Sequence, residues 1–289
     1  MSRIGPAQWA MVAPAQALLL SMIAAPGLYV LWLSLAHSSY GQAPVWAGLD
    51  NYSNVLGDPY FWRALLNTLI VVNAVVYLEL AAALGMAVLF AGGIPARRLM
   101  VAVVLAPYAV SEVVAIVVWR YLMEPDIGPL THLIAALGLP PLDWSVSPAA
   151  ALTLVGLINI WMHLPFTFVL LYTALLAVPS ELFEAARIDG AGAWAEFRHV
   201  TVPVLMPAIL VAILFRYVFA FRMFSEVWLL TQGGPARSTE VLAVYLYTTG
   251  FRYGGFGGAA AIGWIMLLIS LLLALYYLRR MYRSLKANA

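Results

Sequence analysis

The sequence predicts an all-α, polytopic membrane protein with six transmembrane helices and both termini in the cytoplasm. Of its 289 residues, 64% are hydrophobic and only 10% are charged, whereas about 25% are charged in an ordinary soluble domain. Apolar runs of about 20 residues, long enough to cross a bilayer, recur along the chain. The basic residues also concentrate on one side of these runs. A chain with so few charges cannot cover its surface with polar groups, so much of that surface must face lipid.

Six apolar runs define the predicted spans. The first run follows Arg3, but it is far longer than the roughly 7–15 residues of a signal-peptide core, so we interpret it as a retained helix. No repeat, low-complexity tract or soluble segment separates the runs, and a single membrane domain accounts for residues 1–289. The predicted spans are about 10–35, 65–92, 99–122, 150–177, 204–231 and 257–279.

Lysine and arginine residues predict the orientation, because cytoplasmic connections carry an excess of both. With the N-terminus inside, nine basic residues are cytoplasmic and three are external. The longest cytoplasmic connection is then 178–203, between the fourth and fifth spans. The inside set is Arg3, Arg97, Arg98, Arg187, Arg198, Arg279, Arg280, Arg283 and Lys286, and the outside set is Arg63, Arg237 and Arg252.

Composition also excludes several functions. The chain has no Cys, which excludes disulfides, Cys-based metal sites and thiol catalysis. A net charge of +2 without a basic run gives no sign of nucleic-acid binding. No G-x-x-x-x-G-K-[ST] phosphate loop is present. We therefore expect no catalysis and no cofactor in this chain, and ATP hydrolysis would have to come from a partner.

The connection at 178–203 departs from its apolar surroundings, because residues 181–207 hold six of the 28 charged residues. Ser180 is a predicted N-cap for a short helix, Asp189-Gly190 breaks that helix, and Pro203 is predicted to begin the fifth span. The pattern alone also fits an amphipathic connector lying on the membrane surface. The apolar side of the short helix comprises Leu182, Phe183, Ala186 and Ile188.

The stretch "EAARIDGAGAWAEFRHVTVPVLMP" resembles the EAA loop of binding-protein-dependent ABC importer permeases. That loop reads EAA, then DG, then a hydrophobic stretch that ends in Pro. In the family it forms the coupling helix that docks into a groove on a cytoplasmic ATPase. The residues that match the pattern are Glu184, Ala185, Ala186, Asp189, Gly190 and Pro203.

Other segments are similar to those of sugar-type permeases, including the maltose and trehalose permeases. They are "GLDNYSNVLGDPYFWRALLNT" (48–68), "LTQGGPARSTEVLAVYLYTTGF" (230–251), "APY" (106–108), "NIWMHLPF" (159–166) and "LFRYVFAFRMF" (214–224). The resemblance implies a type I ABC importer permease in the bacterial cytoplasmic (inner) membrane that works by alternating access. The implied partners are lipid, a second and different permease subunit, two ATPase subunits that use ATP and Mg, and an extracytoplasmic solute-binding protein.

The same resemblance implies a substrate pathway for a sugar. Asn159 and His163 are four residues apart and share one helix face. Aromatic rings beside amide and imidazole groups suit a carbohydrate. The other interpretation of His163 is a hydrogen bond that serves helix packing. Pro165 is expected to disturb the helix there. The residues that match sugar-contacting segments are Tyr108, Asn159, Trp161, Met162, His163, Phe166, Arg216, Phe219, Ala220 and Met223.

Three departures from relatives leave the identity of the sugar open. His163 stands where the maltose permease has a small residue and Arg216 where it has a small polar one. The acid of Phe224-Ser225-Glu226 is displaced by one position from the Phe-Asp that is usual in many relatives. Arg216 allows an anionic sugar, or a sugar or polyol phosphate, as an alternative cargo. It could instead be neutralised by Glu112 or hydrated. Arg222 and Glu226, four residues apart, could form an ion pair.

Two other classes compete with this interpretation. A membrane enzyme of the rhomboid type would need a G-x-S-G motif within a span, and a haem protein would want paired intramembrane histidines, of which only His163 is present. A standalone secondary transporter could contain six helices, but it does not need an EAA-type loop. Copurification with an ATPase would separate these classes.

Overall fold

A computed structural model of the chain describes residues 6–140 and 142–287, and they are mainly helical. Arg3, which counts toward the inside charge, lies outside the described residues, as do the side chains of Arg283 and Lys286. The helices are α1 (Pro6–Ser34), α2 (Asp50–Gly57), α3 (Pro59–Ala91), α4 (Arg97–Leu105), α5 (Glu112–Leu122), α6 (Pro129–Ala136), α7 (Pro148–Leu176), α8 (Ser180–Ile188), α9 (Ala193–Glu196), α10 (Val202–Ala220), α11 (Ser225–Leu230), α12 (Leu242–Tyr247) and α13 (Phe256–Ala287). Two short antiparallel strands, β1 (Ala36–His37) and β2 (Val45–Trp46), pair with each other.

Five helical segments of the described chain are long and apolar enough to cross a membrane, and a bent pair of helices makes a sixth if it counts as one span. This agrees with the predicted all-α membrane fold. The five segments are Met11–Ser34, Pro59–Ala91, Pro148–Leu176, Ala193–Ala220 and Phe256–Arg280, and the bent pair is Arg97–Ala109 with Glu112–Leu122.

The third predicted span, 99–122, is therefore not one straight helix. After α4 the chain tightens into a 3-10 turn at Ala106–Ala109, and Val110 and Ser111 are extended before α5 begins. The axes of the two halves differ by 101°. Pro107 lacks an amide hydrogen and its ring crowds the preceding turn, which favours a kink or a break in the helix here.

The fifth span begins earlier than predicted. One continuous helical segment covers Ala193–Ala220, so Pro203 lies within it and does not start it. A π-helical stretch, Phe197–Thr201, joins α9 to α10, and the Val202 N–H donates to the Phe197 carbonyl five residues back. Pro203 has no N–H to offer the preceding turn, and the wider π turn lies immediately before it.

The same span also ends earlier than predicted. The boundary expected near 231 is replaced by the end of α10 at Ala220 and a separate short helix, α11. Phe224, with φ −133° and ψ −55°, stands between the two outside helical geometry. Pro165, in contrast, lies inside α7 without ending it.

The chain groups into two compact units. The first comprises Met1–Phe61 with Tyr245–Leu267, and the second comprises Trp62–Val244 with Leu268–Ala289.

In the first unit, Asn51 holds the chain after α1. Its side-chain amide donates to the carbonyls of Ser34 and Ala36, both at 2.9 Å. The Phe256 N–H donates to the Ser38 carbonyl at 3.0 Å. Gly257 lies so close that an added Cβ would meet the Ala36 carbonyl oxygen and the Asn51 side chain. Only glycine allows this approach.

In the second unit, apolar residues of α3, α7 and α10 form the larger core cluster, which includes Val76, Phe168 and Ile213. The external loop before α12 is fastened to α3 by two polar side chains. The Asn67 amide donates to the carbonyls of Ser238 and Glu240, both at 2.9 Å, and Thr68 Oγ1 accepts from the Leu242 N–H at 2.9 Å.

We predict that Gly257→Ala lowers the thermal unfolding temperature of the purified protein in detergent. The new methyl group must displace backbone, and such overpacking costs about 1–3 kcal/mol. Gly85→Ala in α3 is the matched control, because a Cβ there meets nothing within 4 Å and alanine favours the helix. Equal unfolding temperatures for the two variants would contradict the close approach at Gly257.

Candidate functional site

The most deeply buried charged groups of the second unit form an ion pair between α3 and α10. Arg216 is 2% exposed and Glu79 is fully buried, and Arg216 Nη2 lies 2.6 Å from Glu79 Oε2. A charge inside a membrane protein is costly unless it is paired. The partner of Arg216 is therefore Glu79, and Glu112 does not fill that role.

Polar side chains from two further helices complete the pair. Asn159 of α7 accepts from Arg216 Nη2 at 2.8 Å through Oδ1 and donates to Glu226 Oε1 of α11 at 2.5 Å. Thr167 Oγ1 of α7 donates to Glu79 Oε1 at 2.5 Å. We call Glu79, Thr167, Asn159, Arg216 and Glu226 the buried polar network. It connects α3, α7, α10 and α11.

Two expectations change as a result. Among the described side chains, no ion pair joins Arg222 to Glu226: Glu226 accepts from Asn159, and Arg222 is exposed. Glu79 is absent from the predicted site residues, although an acid inside the apolar run "YLELAA" is a signal of this kind of position.

A cavity of about 160 Å³ lies where α4 and α5 bend apart. It is lined by three predicted pathway residues, Tyr108, Met162 and His163, together with Glu112. His163 Nδ1 lies 2.9 Å from the Asn159 carbonyl oxygen, so this hydrogen bond lies within α7. Pro107 and Val110 complete the lining.

The other predicted pathway residues either contact another aromatic ring or lie in a hydrophobic core cluster. Trp161 meets Trp119 edge to face, and Phe215 contacts both Phe166 and Phe219. Met162 and Met223 belong to one core cluster and Ala220 to the other. The structure thus joins Asn159 to Arg216 in the network, brings Tyr108, Met162 and His163 to one cavity, and places the rest against neighbouring helices.

Arg120 lies near the end of α5. Its Nη1 donates to the Leu229 carbonyl at 2.9 Å, and its guanidinium lies 5.7 Å from the Trp144 ring centroid. Trp144 Nε1 in turn donates to the Met123 carbonyl at 2.7 Å. Arg120 therefore fastens α5 to α11 and to the loop that carries Trp144.

The connection at 178–203 contains a complete helix stop. Gly190 has φ +82°, which confirms the left-handed backbone expected after Asp189. The Gly190 N–H donates to the Arg187 carbonyl at 3.1 Å, and the Ala191 N–H donates to the Ala186 carbonyl at 2.9 Å. These two bonds form a Schellman motif, which satisfies the last carbonyls of α8 and reverses the chain.

An ion pair fastens α8 to the start of the fifth span. Arg187 Nε lies 2.9 Å from Glu196 Oε2, and Nη2 lies 3.3 Å from Oε1. The hydrogen bond that Arg187 donates to Glu196 raises the pKa of Arg187, so the guanidinium keeps its charge. Arg187 thus pairs within its own chain.

The outer side of the same connection is apolar and uncovered. Ile188 of α8 is 86% exposed and Trp194 of α9 is 70% exposed, and Leu182 of α8 is exposed as well. Phe183 differs from the expectation, because it packs against the larger core cluster. The predicted N-cap is wrong: Ser180 is the first helical residue and Pro179 occupies the cap position without a side-chain hydrogen bond.

Comparison with known proteins gives related sequences along the whole chain. It is 33% identical over 289 residues to the "Probable ABC transporter permease protein y4oQ" of Sinorhizobium fredii, covering 99% of this chain and 93% of the relative. It is 34% identical over 239 residues to the diacetylchitobiose uptake system permease protein of Streptomyces coelicolor, covering 81% and 73%.

The fold matches a solved structure as well. A chain of a bacterial alginate ABC transporter, crystallised with an alginate pentasaccharide-bound periplasmic protein, superposes with a TM-score of 0.79 at 20% identity and covers 93% of this chain and 91% of its own. The family model for the binding-protein-dependent transport system inner membrane component matches residues 10–283. The chain belongs to this family of ABC transporter permeases, whose members are membrane subunits and not enzymes.

Proposed function

We propose that this permease imports a neutral sugar or short oligosaccharide across the bacterial inner membrane and is driven through the connection at 178–203. The observation that carries the proposal is the physical continuity from α8 to the buried polar network. Arg187 on α8 pairs with Glu196, and Glu196 lies on the same helical segment, Ala193–Ala220, as Arg216. A displacement of α8 therefore reaches the middle of the membrane.

The proposed complex contains a second permease subunit, two ATPases that use ATP and Mg, and an extracytoplasmic binding protein. The exposed Ile188 and Trp194 support docking of α8 into a groove on an ATPase, because large uncovered apolar side chains at a protein end mark a contact surface. Glu184, Ala185 and Ala186 lie on this helix, while Asp189 and Gly190 shape its end. Both termini are cytoplasmic in this arrangement, so the docking surface faces the ATPases.

A carbohydrate cargo is supported by the similarity to a diacetylchitobiose uptake permease. The buried polar network favours a neutral cargo over the anionic alternative. Arg216 is already compensated by Glu79 and approached through Asn159 by Glu226. An incoming carboxylate or phosphate would have to displace one acid and meet the repulsion of a second.

On this proposal the cargo passes beside the bend between α4 and α5, where Tyr108 and His163 line the cavity. An aromatic ring can stack on the apolar face of a sugar, and the phenol and imidazole can bond its hydroxyls. Trp161 and Phe219 supply further aromatic surface on α7 and α10. Asn159 and Arg216 act mainly by holding these helices in place, since their side chains are buried.

We predict that Gly190→Val and Glu184→Lys abolish the ATPase stimulation caused by sugar-loaded binding protein in the reconstituted complex. At φ +82° a β-branched residue is strained by roughly 1–2 kcal/mol, which would re-aim α8. The lysine reverses a charge at the docking surface. Insertion of the spans and sugar binding by the binding protein should remain normal.

The matched control for the glycine is Gly192→Val. Gly192 has φ −73° and ψ 169°, where valine is unstrained, and a Cβ there meets nothing within 4 Å. Normal stimulation in Gly190→Val and Glu184→Lys, measured beside this control, would mean that the connection does not transmit the ATPase motion.

For the cargo path, we predict that Tyr108→Ala raises the apparent KM for sugar uptake severalfold while complex assembly is unchanged. The side chain is 56% exposed, so its removal leaves no sealed core void. Tyr121→Ala on α5 is the control, because Tyr121 is 59% exposed and does not line the cavity. Equal uptake by both variants would place the cargo path elsewhere or in the second permease.

A further inference from the structure

A second cavity, of about 790 Å³, opens beside the start of α4 and the last turns of α7. It lies on the side that the inside set of basic residues assigns to the cytoplasm. None of the predicted pathway residues lines it. It is lined by Ala96, Arg97, Arg98, Leu99, Val101 and Tyr172.

The cavity is positively charged. Arg97 and Arg98 line it, and no ion pair to either occurs among the described side chains. The Arg97 guanidinium lies 5.2 Å from the Tyr172 ring centroid, which leaves its edge N–H groups available. The same two arginines open α4, and Ala96 at the cap position offers no side-chain acceptor. The first-turn N–H groups therefore add to the attraction for an anion.

A buried hydroxyl independently indicates a missing acceptor. Tyr172 is 8% exposed and its ring packs against Phe90 and Phe168. Its hydroxyl oxygen is buried and has no hydrogen-bond partner among the described residues. Buried polar groups nearly always have a partner. Because Tyr172 lines the cavity, a ligand oxygen there would supply one.

The apolar residues around the cavity favour one class of anion. Leu99, Met100 and Val103 follow the two arginines on α4, and all three are exposed. A soluble anion would leave these apolar side chains uncovered, whereas the acyl chains of a lipid would cover them. Basic pockets between helices on the cytoplasmic side are suited to acidic lipid headgroups.

We propose that this cavity binds the phosphate of an anionic phospholipid from the cytoplasmic leaflet. Arg97 and Arg98 hold the phosphate oxygens, the Tyr172 hydroxyl donates to one of them, and the acyl chains lie along α4. The bound lipid then supports the end of α7 and the segment between α3 and α4. This site is independent of the cargo and of the docking surface on α8.

The test measures lipid binding to the assembled transporter in detergent by native mass spectrometry, with phosphatidylglycerol as the probe and phosphatidylcholine as the neutral comparison. The wild type should retain phosphatidylglycerol preferentially. Arg97→Gln with Arg98→Gln should weaken its binding at least tenfold, because two charge-assisted contacts are lost. Tyr172→Phe keeps the packing of the ring and removes only the hydroxyl. It should weaken phosphatidylglycerol binding about fivefold, because one hydrogen bond is lost.

Arg279→Gln with Arg280→Gln is the matched control, since it removes two exposed basic residues from α13 that do not line the cavity. It should leave binding within twofold of wild type. A loss as large in this control would reveal only general attraction to the charged membrane side. Unchanged binding in the Arg97 and Arg98 variant, no lipid preference in the wild type, or equal displacement by inorganic phosphate would each overturn the proposal.

Discussion

The buried guanidinium of Arg216 constrains the rest of the second unit. An ionised side chain in the hydrocarbon region costs at least about 2.5–3.5 kcal/mol even on the most permissive scales. The chain offsets this cost with Glu79, Asn159 and Glu226. Glu79 and Asn159 contact Arg216 directly from α3 and α7, and Glu226 of α11 is linked to it through Asn159, so one charge connects these three helices to α10.

On the function proposed above, this constraint also provides a route by which a displacement of α8 reaches the proposed cargo path. Glu196 and Arg216 lie on one helical segment, about 30 Å apart at 1.5 Å per residue. The Schellman turn at Gly190 and the Arg187–Glu196 pair hold α8 at the near end of that segment. At the far end lies the buried polar network, and packed arrangements of hydrogen bonds and ion pairs favour two distinct states over gradual bending.

Much of the architecture is predictable from the sequence because it depends on local chemistry. Long apolar runs predict the spans, and Asp189-Gly190 predicts a stop with a left-handed glycine, which has φ +82°. Other features depend on tertiary packing. No Gly or Pro marks the end of α10 at Ala220, and the 101° bend at Val110 and Ser111 has only Pro107 as a local cause. The partner of Arg216 lies 137 positions away in sequence, at Glu79, and spacing cannot supply that pairing.

The dependence of the four helices on one charge pair is tested most directly by a double-mutant cycle. Glu79→Gln, Arg216→Gln and the double variant would be compared with wild type by unfolding in detergent and by sugar uptake. Each single change should destabilise the protein by about 3–5 kcal/mol, because it leaves a buried charge without its partner. The double variant, which buries no unpaired charge at these positions, should be more stable than either single variant. Additive losses in the double variant would contradict the central role of the pair.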